Sequence, residues 1–580
     1  MTAGAEILLS RDLIAFQLFD WLGVGHVDER PTLLAIIEAA QRLAVDKFLP
    51  HYRQSDIEEP RLDADGVHVL PAIHDALARF AELGLFGVSF SEELGGLGLP
   101  LSVALAMQGN FAAANIATAA YPMLSVANAR LIATFGTPEQ VECFARPQIA
   151  GRWFGTMCLS EPQAGSSLGD IRTRAVQEGE DVHGTRYRLI GNKMWISGGD
   201  HDASENIVHL VLAKIPQGDG TLPEGSKGIS LFIVPKILPD GSRNDVAVAG
   251  LNHKLGYRGI SNCLLNFGER QGAIGWRVGE SGQGLQQMFM MMNEARIGVG
   301  MGAAALAYRG YRQSLRYAQE RVQGRAIAAT HGAAVPIFAH ADVRHMLLRQ
   351  KVYAEGALAL CLYCANLLDQ KGDGTADALL ALLTPIAKSW PSEFGPIAND
   401  LAIQVHGGYG YTRDFDVEQL WRDNRLNPIH EGTNGIQAID LLRRKLLLSN
   451  GQSFALLRGR IDATITRAQH QATLALFGSL LTDYWSRVEM ILDGLKRREN
   501  VAALDDATMF LRGFGHGVVA WLWLDQTVTG ASQPDGTLRE GLAYGCRYFF
   551  ESELPQAHAW LSIVAQHSDI VRAIPEEAFA

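Results

Sequence analysis

Gly228-Ile-Ser-Leu-Phe-Ile-Val-Pro235 decides the architecture, because it reads as a strand in a chain that is helical on either side. β-Branched and aromatic residues fill the run, and glycine and proline bound it. Similar short runs lie outward from it: Tyr187-Arg-Leu-Ile190 and Ile207 to Ala213 before, Val246 to Leu251 and Cys263 to Phe267 after. Gly- and Asp-rich turns separate them, and this texture begins at Trp153. The expectation is an all-β unit, a barrel or sandwich, over residues 153–279.

Helix flanks it on both sides. Leu33, Ile36, Ile37, Ala40 and Leu43 recur at helical spacing, as does the run Ala76 to Leu85, with breaks at Pro60, Gly95 and Gly98. Beyond the strands, Gln286 to Leu315 is expected as a long helix, followed by Val343 to Asp369 and Asp377 to Val405. Phe454 to Phe477, Leu480 to Leu495 and Ala507 to Trp523 continue the helical pattern after Asn450-Gly451. A chain of 580 residues exceeds one core. The fold class is therefore α+β multidomain: an N-terminal helical domain (1–152), the central β-barrel or sandwich domain (153–279), a C-terminal four-helix bundle (280–449) and an appended helical domain (450–580).

Composition narrows the class. Hydrophobic residues make up 47% and charged residues 19%, as in an ordinary globular protein. No run of eighteen apolar residues suggests a membrane span, and Met1 to Ser10 has no basic residue before its apolar stretch, so neither membrane integration nor a secretory signal is expected. A formal charge of −11 argues against a nucleic-acid partner, and Lys496-Arg-Arg498 reads as a solvated helix face. The six cysteines are too few for a disulfide framework, and Cys361-Leu-Tyr-Cys364 lies in an apolar helical run where core packing is the better reading than metal or redox work. The expected location is cytoplasmic, and no metal site is expected.

Several segments carry chemistry. Glu431-Gly-Thr-Asn-Gly-Ile-Gln437 puts one carboxylate on a Gly-flanked turn before an apolar helix. An apolar wall there would raise its pKa, and nearby N–H groups could hold enolate-like charge, as abstraction of a weakly acidic C–H proton requires. The same string also reads as a helix start with Thr433 as N-cap. Met157-Cys-Leu-Ser-Glu-Pro-Gln-Ala-Gly-Ser-Ser167 runs from strand into a hydroxyl-rich turn, whose N–H groups at Ala164 to Ser166 could cradle a pyrophosphate. Gly191-Asn-Lys-Met-Trp-Ile-Ser-Gly198 offers Trp195 for stacking and Ser197 for a hydrogen bond. Asn293-Glu-Ala-Arg296 sits on the long helix, Glu320-Arg-Val-Gln-Gly324 at its end, and Gln404-Val-His-Gly-Gly-Tyr-Gly-Tyr-Thr412 forms a Gly-rich bend. Gly298-x-Gly-x-Gly302 has no strand before it and reads as close helix packing; Met288, Met290, Met291 and Met292 read as pliable core or pocket lining.

Taken in order and spacing, these segments resemble the acyl-CoA dehydrogenase family over roughly residues 30 to 450. The chain looks most like long members with a C-terminal helical extension, and the His430–Gln437 string is similar to the 3-methylthiopropionyl-CoA dehydrogenases. The resemblance implies an oxidoreductase that uses FAD to convert an acyl-CoA thioester to the trans-2-enoyl-CoA, passing electrons to an electron-transferring flavoprotein. It implies Glu431 as the base that removes the pro-R α-proton. On the cofactor side it implies Met157, Leu159, Ser160, Gly165, Trp195, Ser197 and Thr433, and, for the adenosine diphosphate held by a neighbouring subunit, Arg321, Gln323, Gln404 and Gly408. On the substrate side it implies Ser166, Asn293, Arg296, Gly432 and Arg443. A homodimer is implied, with a tetramer as the alternative.

Departures stand beside the matches. Relatives that carry the base on the long helix would place it at Ala295, which cannot serve, with Glu294 about 100° away around the helix. His430 replaces the family's frequent Tyr; it either tunes the pKa of Glu431 or the polarity of the pocket, or fills the core. Asn293 stands where Asp or Glu is common, and one residue is missing at Gln323-Gly324; His340 falls near another inter-subunit contact. Two other functions share much of this pattern: an acyl-CoA oxidase, and a flavin-containing nucleic-acid-associated stress protein.

Overall fold

Burial on both faces explains the continuous apolar strands. In the computed structural model, which describes residues 4–325, 331–498 and 502–580 apart from the side chains of 290–292, the strands Asn206–Lys214 and Ile229–Pro235 are buried at every position. Leu210, Leu212, Leu231 and Ile233 pack into a core with Leu131, Ile132, Phe144 and Ile149 from helical segments. The alternate residues Val211, Ala213, Phe232 and Val234 enter a second core with Tyr187, Leu265 and Phe267. A period of two thus places consecutive apolar residues in different cores.

The strands pair in a circuit. Ala273–Val278 pairs with Ile229–Pro235, which pairs with Asn206–Lys214; Arg174–Asp181 pairs with Gly184–Ser197, which returns to Ala273–Val278. A single Arg174–Lys214 pair joins the two halves. Val246–Leu251 and Asn262–Phe267 extend the second half of Gly184–Ser197, and Trp153–Cys158 lies parallel to Asn206–Lys214. Arg174–Asp181 gave no apolar signal because it is mostly exposed.

The chain forms two compact units. One comprises Ala39–Pro100 and Asn110–Ala295; the other comprises Met1–Glu38, Leu101–Gly109 and Arg296–Ala580. In the first unit the expected helices are joined by an unexpected hairpin, Arg61–Asp63 with Gly66–His68. Its turn is an Asx turn, with the Asp65 amide donating to Asp63 Oδ1 at 2.9 Å. The helical run Leu101–Phe135 breaks at Asn115, whose Oδ1 accepts from the Thr118 amide at 3.2 Å and restarts the helix as an N-cap would.

In the second unit the long helices are Gly284–Glu320, Ala341–Asp369 and Gly374–His406. A Cβ on Gly300 would lie 2.0 Å from the Ala387 carbonyl oxygen, so the small residue does serve close helix contact. Cys361 and Cys364 are fully buried and free, as core packing requires. The methionine expectation is met at Met288, which is 1% exposed; the side chains of Met290, Met291 and Met292 lie outside the described residues.

After residue 450 the helices are Gln452–Gln469, Ala475–Lys496, Ala507–Gly530, Thr537–Tyr548 and Leu554–Gln566. The expected Phe454–Phe477 helix is therefore two. Lys496 and Arg497 are exposed, as a solvated face requires, while half-buried Arg498 donates to the carbonyls of Val564 and Ala565, at the negative end of Leu554–Gln566. The Ala341–Asp369 helix is long and apolar enough to cross a membrane, yet 78% of its most apolar stretch is buried in the protein. Part of that cover is the Ala507–Gly530 helix, with Val519 and Trp523 against Gly356 and Trp523 Nε1 donating to the Val352 carbonyl at 3.3 Å.

Candidate active site

Glu431 follows the Val417–Asn424 helix and precedes Asn434–Ile439, with its backbone at φ 52. Such a conformation costs a non-glycine residue about 1–3 kcal/mol unless its surroundings impose it. Here they do. Gln437 Nε2 donates to the Glu431 carbonyl at 3.2 Å, and Thr433 Oγ1 accepts from the Ile436 amide at 3.4 Å. Thr433 is thus both the N-cap and the expected site residue. Gly432 follows at φ +87, where a Cβ would meet Gln437 Nε2 at 2.6 Å.

A chain of buried amides anchors the turn from within. Asn427 Nδ2 donates to Asn424 Oδ1 at 2.9 Å, Asn424 Nδ2 to Asn399 Oδ1 at 2.7 Å, and Asn399 Nδ2 to the Leu306 carbonyl at 2.9 Å. Lys388 Nζ donates to the Asn427 carbonyl at 2.8 Å. Lys388, Asn399, Asn424 and Asn427 escaped the motif reading; the signal available was Lys388 and Asn399 within the largely apolar Gly374–His406 helix.

Burial raises the Glu431 carboxyl above its ordinary value, while Arg296 and Lys388 act to lower it. Burial holds His430 down at about 3, with Lys388 adding to the effect. The ring, 3.2 Å from Asn427 Oδ1, is neutral at physiological pH and supports the turn instead of lending charge to Glu431. Arg296, expected on the substrate side, is 7% exposed and pairs with Asp440 at 3.3 Å. Arg443 is exposed on the following segment.

A separate cavity of about 460 Å³ in the same unit gathers Arg321, Gln323 and Gly408, with Tyr317, His406, Gly407 and Tyr409 around them. Arg321 donates to Gln323 Oε1 at 2.9 Å and lies 5.8 Å from the Tyr409 ring centre. His340 Nε2 meets the Gln323 carbonyl at 2.9 Å, so it shapes this wall. Gln404 is exposed one turn before Gly408.

In the other unit, two expected segments join. The Met194 amide donates to the Ser160 carbonyl at 3.0 Å, and buried Lys193 reaches the Leu159 carbonyl at 2.9 Å and Glu161 Oε1 at 3.0 Å. The pairing of Gly184–Ser197 with its neighbour slips at this point, and Trp195 stands at φ 67 and 59% exposed, although Lys193 and Ile196 beside it are buried. Asn262 Nδ2 donates to Ser197 Oγ at 3.2 Å. Met157 and Leu159 are half-buried, and Gly165 and Ser166 are exposed at the turn. The cradle expected at Ala164 to Ser166 is smaller than anticipated, because the Ala164 amide already donates to the Glu161 carbonyl at 3.0 Å. Asn293 is half-buried. Its neighbour Glu294 pairs with Arg130 at 3.0 Å, and Arg130 also stacks 4.6 Å from the Phe90 ring centre.

Comparison with known proteins gives the ancestry. Residues 31–152, 156–269 and 282–446 match the N-terminal, middle and C-terminal domains described for acyl-CoA dehydrogenases, and 457–575 match an acetyl-CoA dehydrogenase C-terminal-like domain. The chain is 36% identical over 441 residues to the 3-methylmercaptopropionyl-CoA dehydrogenase of Ruegeria pomeroyi, covering 74% of this chain and 73% of that one. It is 31% identical to the broad-specificity linear acyl-CoA dehydrogenase FadE5 of Mycobacterium tuberculosis, covering 97% and 98%. This chain belongs to the acyl-CoA dehydrogenase family. The Caenorhabditis elegans ACDH-11 structure, in complex with C11-CoA, shares the fold with a TM-score of 0.78 at 21% identity, covering 98% of this chain and 96% of that one.

A member of this family is an oxidoreductase with FAD as cofactor, and the residues present fit that group. Trp195 offers an exposed flat face held in an imposed backbone conformation. The Arg321 cavity offers a cation, aromatic walls and two glycines whose added Cβ atoms would meet nothing within 4 Å, which suits a diphosphate approaching the backbone.

Proposed function

We propose that the protein oxidises a saturated acyl-CoA thioester across Cα–Cβ to the trans-2-enoyl-CoA, with Glu431 as the base. The observation that carries the reading is a lone carboxylate held at positive φ, raised by burial and opposed by two cations. Glu431 takes the pro-R α-proton; its backbone N–H polarises the thioester carbonyl and so acidifies that proton. Bound FAD supplies the acceptor for the β-hydride at its N5. Trp195 and Ser197 hold the ring side of the cofactor, Arg321, Gln323, Gln404 and Gly408 its adenosine diphosphate, and Arg443, Ser166 and Asn293 the CoA side. The electrons then leave to an electron-transferring flavoprotein. Four domains divided near residues 152, 279 and 449, a cytoplasmic location and a homodimer complete this reading.

The test is anaerobic titration of the flavoprotein with butyryl-, octanoyl-, palmitoyl- and 3-methylthiopropionyl-CoA while flavin absorbance is followed. One thioester should bleach the flavin, and Glu431→Gln should retain FAD and lose bleaching, a loss of about 10²-fold or more. Wild-type bleaching by that variant would reject Glu431 as the base.

A further inference from the structure

We propose that Lys388 is a positioning residue for Glu431, one that holds the Asn427–Thr433 turn to the Gly374–His406 helix and supplies buried positive charge that favours the ionised base. The inference rests on the reading of Glu431 as base.

Lysine is almost never fully buried without a counter-charge. Lys388 is 0% exposed, and its Nζ donates to the neutral Asn427 carbonyl at 2.8 Å. Among the described residues it forms no ion pair. That carbonyl lies four positions before Glu431, on the turn that carries it, and the Asn427 side chain is locked to Asn424. The hydrogen bond therefore fixes the path of the turn from the core side.

The other charged groups around the turn are already committed. Arg296, on the long helix, pairs with Asp440, which also faces Arg444 at 3.7 Å, and it acts on Glu431 in the same direction as Lys388. His430 is neutral. Among the described residues Lys388 is left without an ion pair, and Glu431 is the first charge that acts on it, ahead of Arg296. Burial brings the ammonium down to about 7, so Lys388 carries its charge below neutral pH. Burial likewise favours the protonated form of Glu431, and Arg296 and Lys388 oppose it.

Lys388→Gln keeps a donor for the Asn427 carbonyl and removes the charge, whereas Lys388→Arg keeps the charge. With the Gln variant, the acid limb of the kcat–pH profile should move up by about one pH unit, so that kcat on that limb falls about tenfold. KM and FAD content should stay unchanged, and the Arg variant should restore the limb. Carbodiimide labelling of Glu431 in the resting protein, read by peptide mass spectrometry, should show the same upward shift without turnover. An unmoved limb and labelling profile in a folded Gln variant would overturn the proposal. Should the Gln variant fail to fold, the Arg variant decides: a folded, FAD-loaded Arg protein whose limb still moves up would overturn it, and a limb at the wild-type position would support it. Turnover by Glu431→Gln would reject the base itself; an inactive Glu431→Gln with an unmoved Lys388→Gln limb would reject only the role of Lys388.

Discussion

Trp195 and Glu431 share one backbone feature. Together with Tyr257 and His567 they are the non-glycine residues at positive φ among the described residues. For Trp195 the strain has no stability return, since the ring is 59% exposed. Trp195→Ala should leave the melting temperature of the FAD-free protein nearly unchanged, within about 0.5 kcal/mol, and weaken FAD binding measured by flavin fluorescence. Equal loss in both would make Trp195 a structural residue. Glu161 is the opposite case. Burial raises its carboxyl, but Lys193, the Thr173 hydroxyl and the amides of Arg172 and Thr173 bring it to about 2, below its ordinary 4.5. The stability it contributes is present above 4.5 and is lost as the pH falls from 4.5 towards 2. Glu161→Gln, which strands Lys193 in the core, should lower stability by about 3–5 kcal/mol in denaturant melts at neutral pH, and flatten the acid side of the stability profile. A loss under about 1 kcal/mol would show that the pair is readily replaced.

At the scale of elements, the crossing of Gly284–Glu320 over Gly374–His406 depends on Gly300. Pro391 has no amide hydrogen, so the Ala387 carbonyl four residues earlier loses its helical donor and faces the partner helix. It accepts from Cys361 Sγ of the Ala341–Asp369 helix at 3.9 Å, and towards Gly300 it leaves room only for glycine. Gly300→Ala should force the helices apart at a cost of about 1–3 kcal/mol, visible as a lower melting temperature. Because Lys388 is the next residue after Ala387, kcat should fall as well. A melt equal to wild type would mean that the contact relaxes freely.

At the scale of the whole molecule, the helices after residue 450 are bonded to earlier helices of the same compact unit. Gln17 and Trp21 near the start of the chain bond to Gln526 and Asp525, at 2.9 and 2.7 Å. Trp390 Nε1 donates to His516 Nδ1 at 3.0 Å, and the Tyr353 hydroxyl to Glu553 Oε2 at 2.5 Å. Trp523 is 1% exposed against Ala341–Asp369. Trp523→Ala should destabilise the protein by about 3–5 kcal/mol, with one cooperative melt. Two separate melts would show that the appended helices fold independently.

What the sequence determined by itself was whatever depends on neighbours along the chain. The strand character of Gly228–Pro235, the helices Ala341–Asp369 and Gly374–His406 and the Glu431 turn all follow from local periodicity and turn chemistry, and the structure places them within a few residues of expectation. Long-range packing decided the rest. The exposed strand Arg174–Asp181 was invisible because pairing partners, and not its own apolar residues, make it a strand. The neutral state of His430, the engagement of Glu294 by Arg130 and the burial of Lys388 beneath the turn depend on side chains tens to hundreds of residues away. Burial and charge are properties of assembled neighbours. A motif names the carboxylate, and only the packed surroundings set when it can hold a proton.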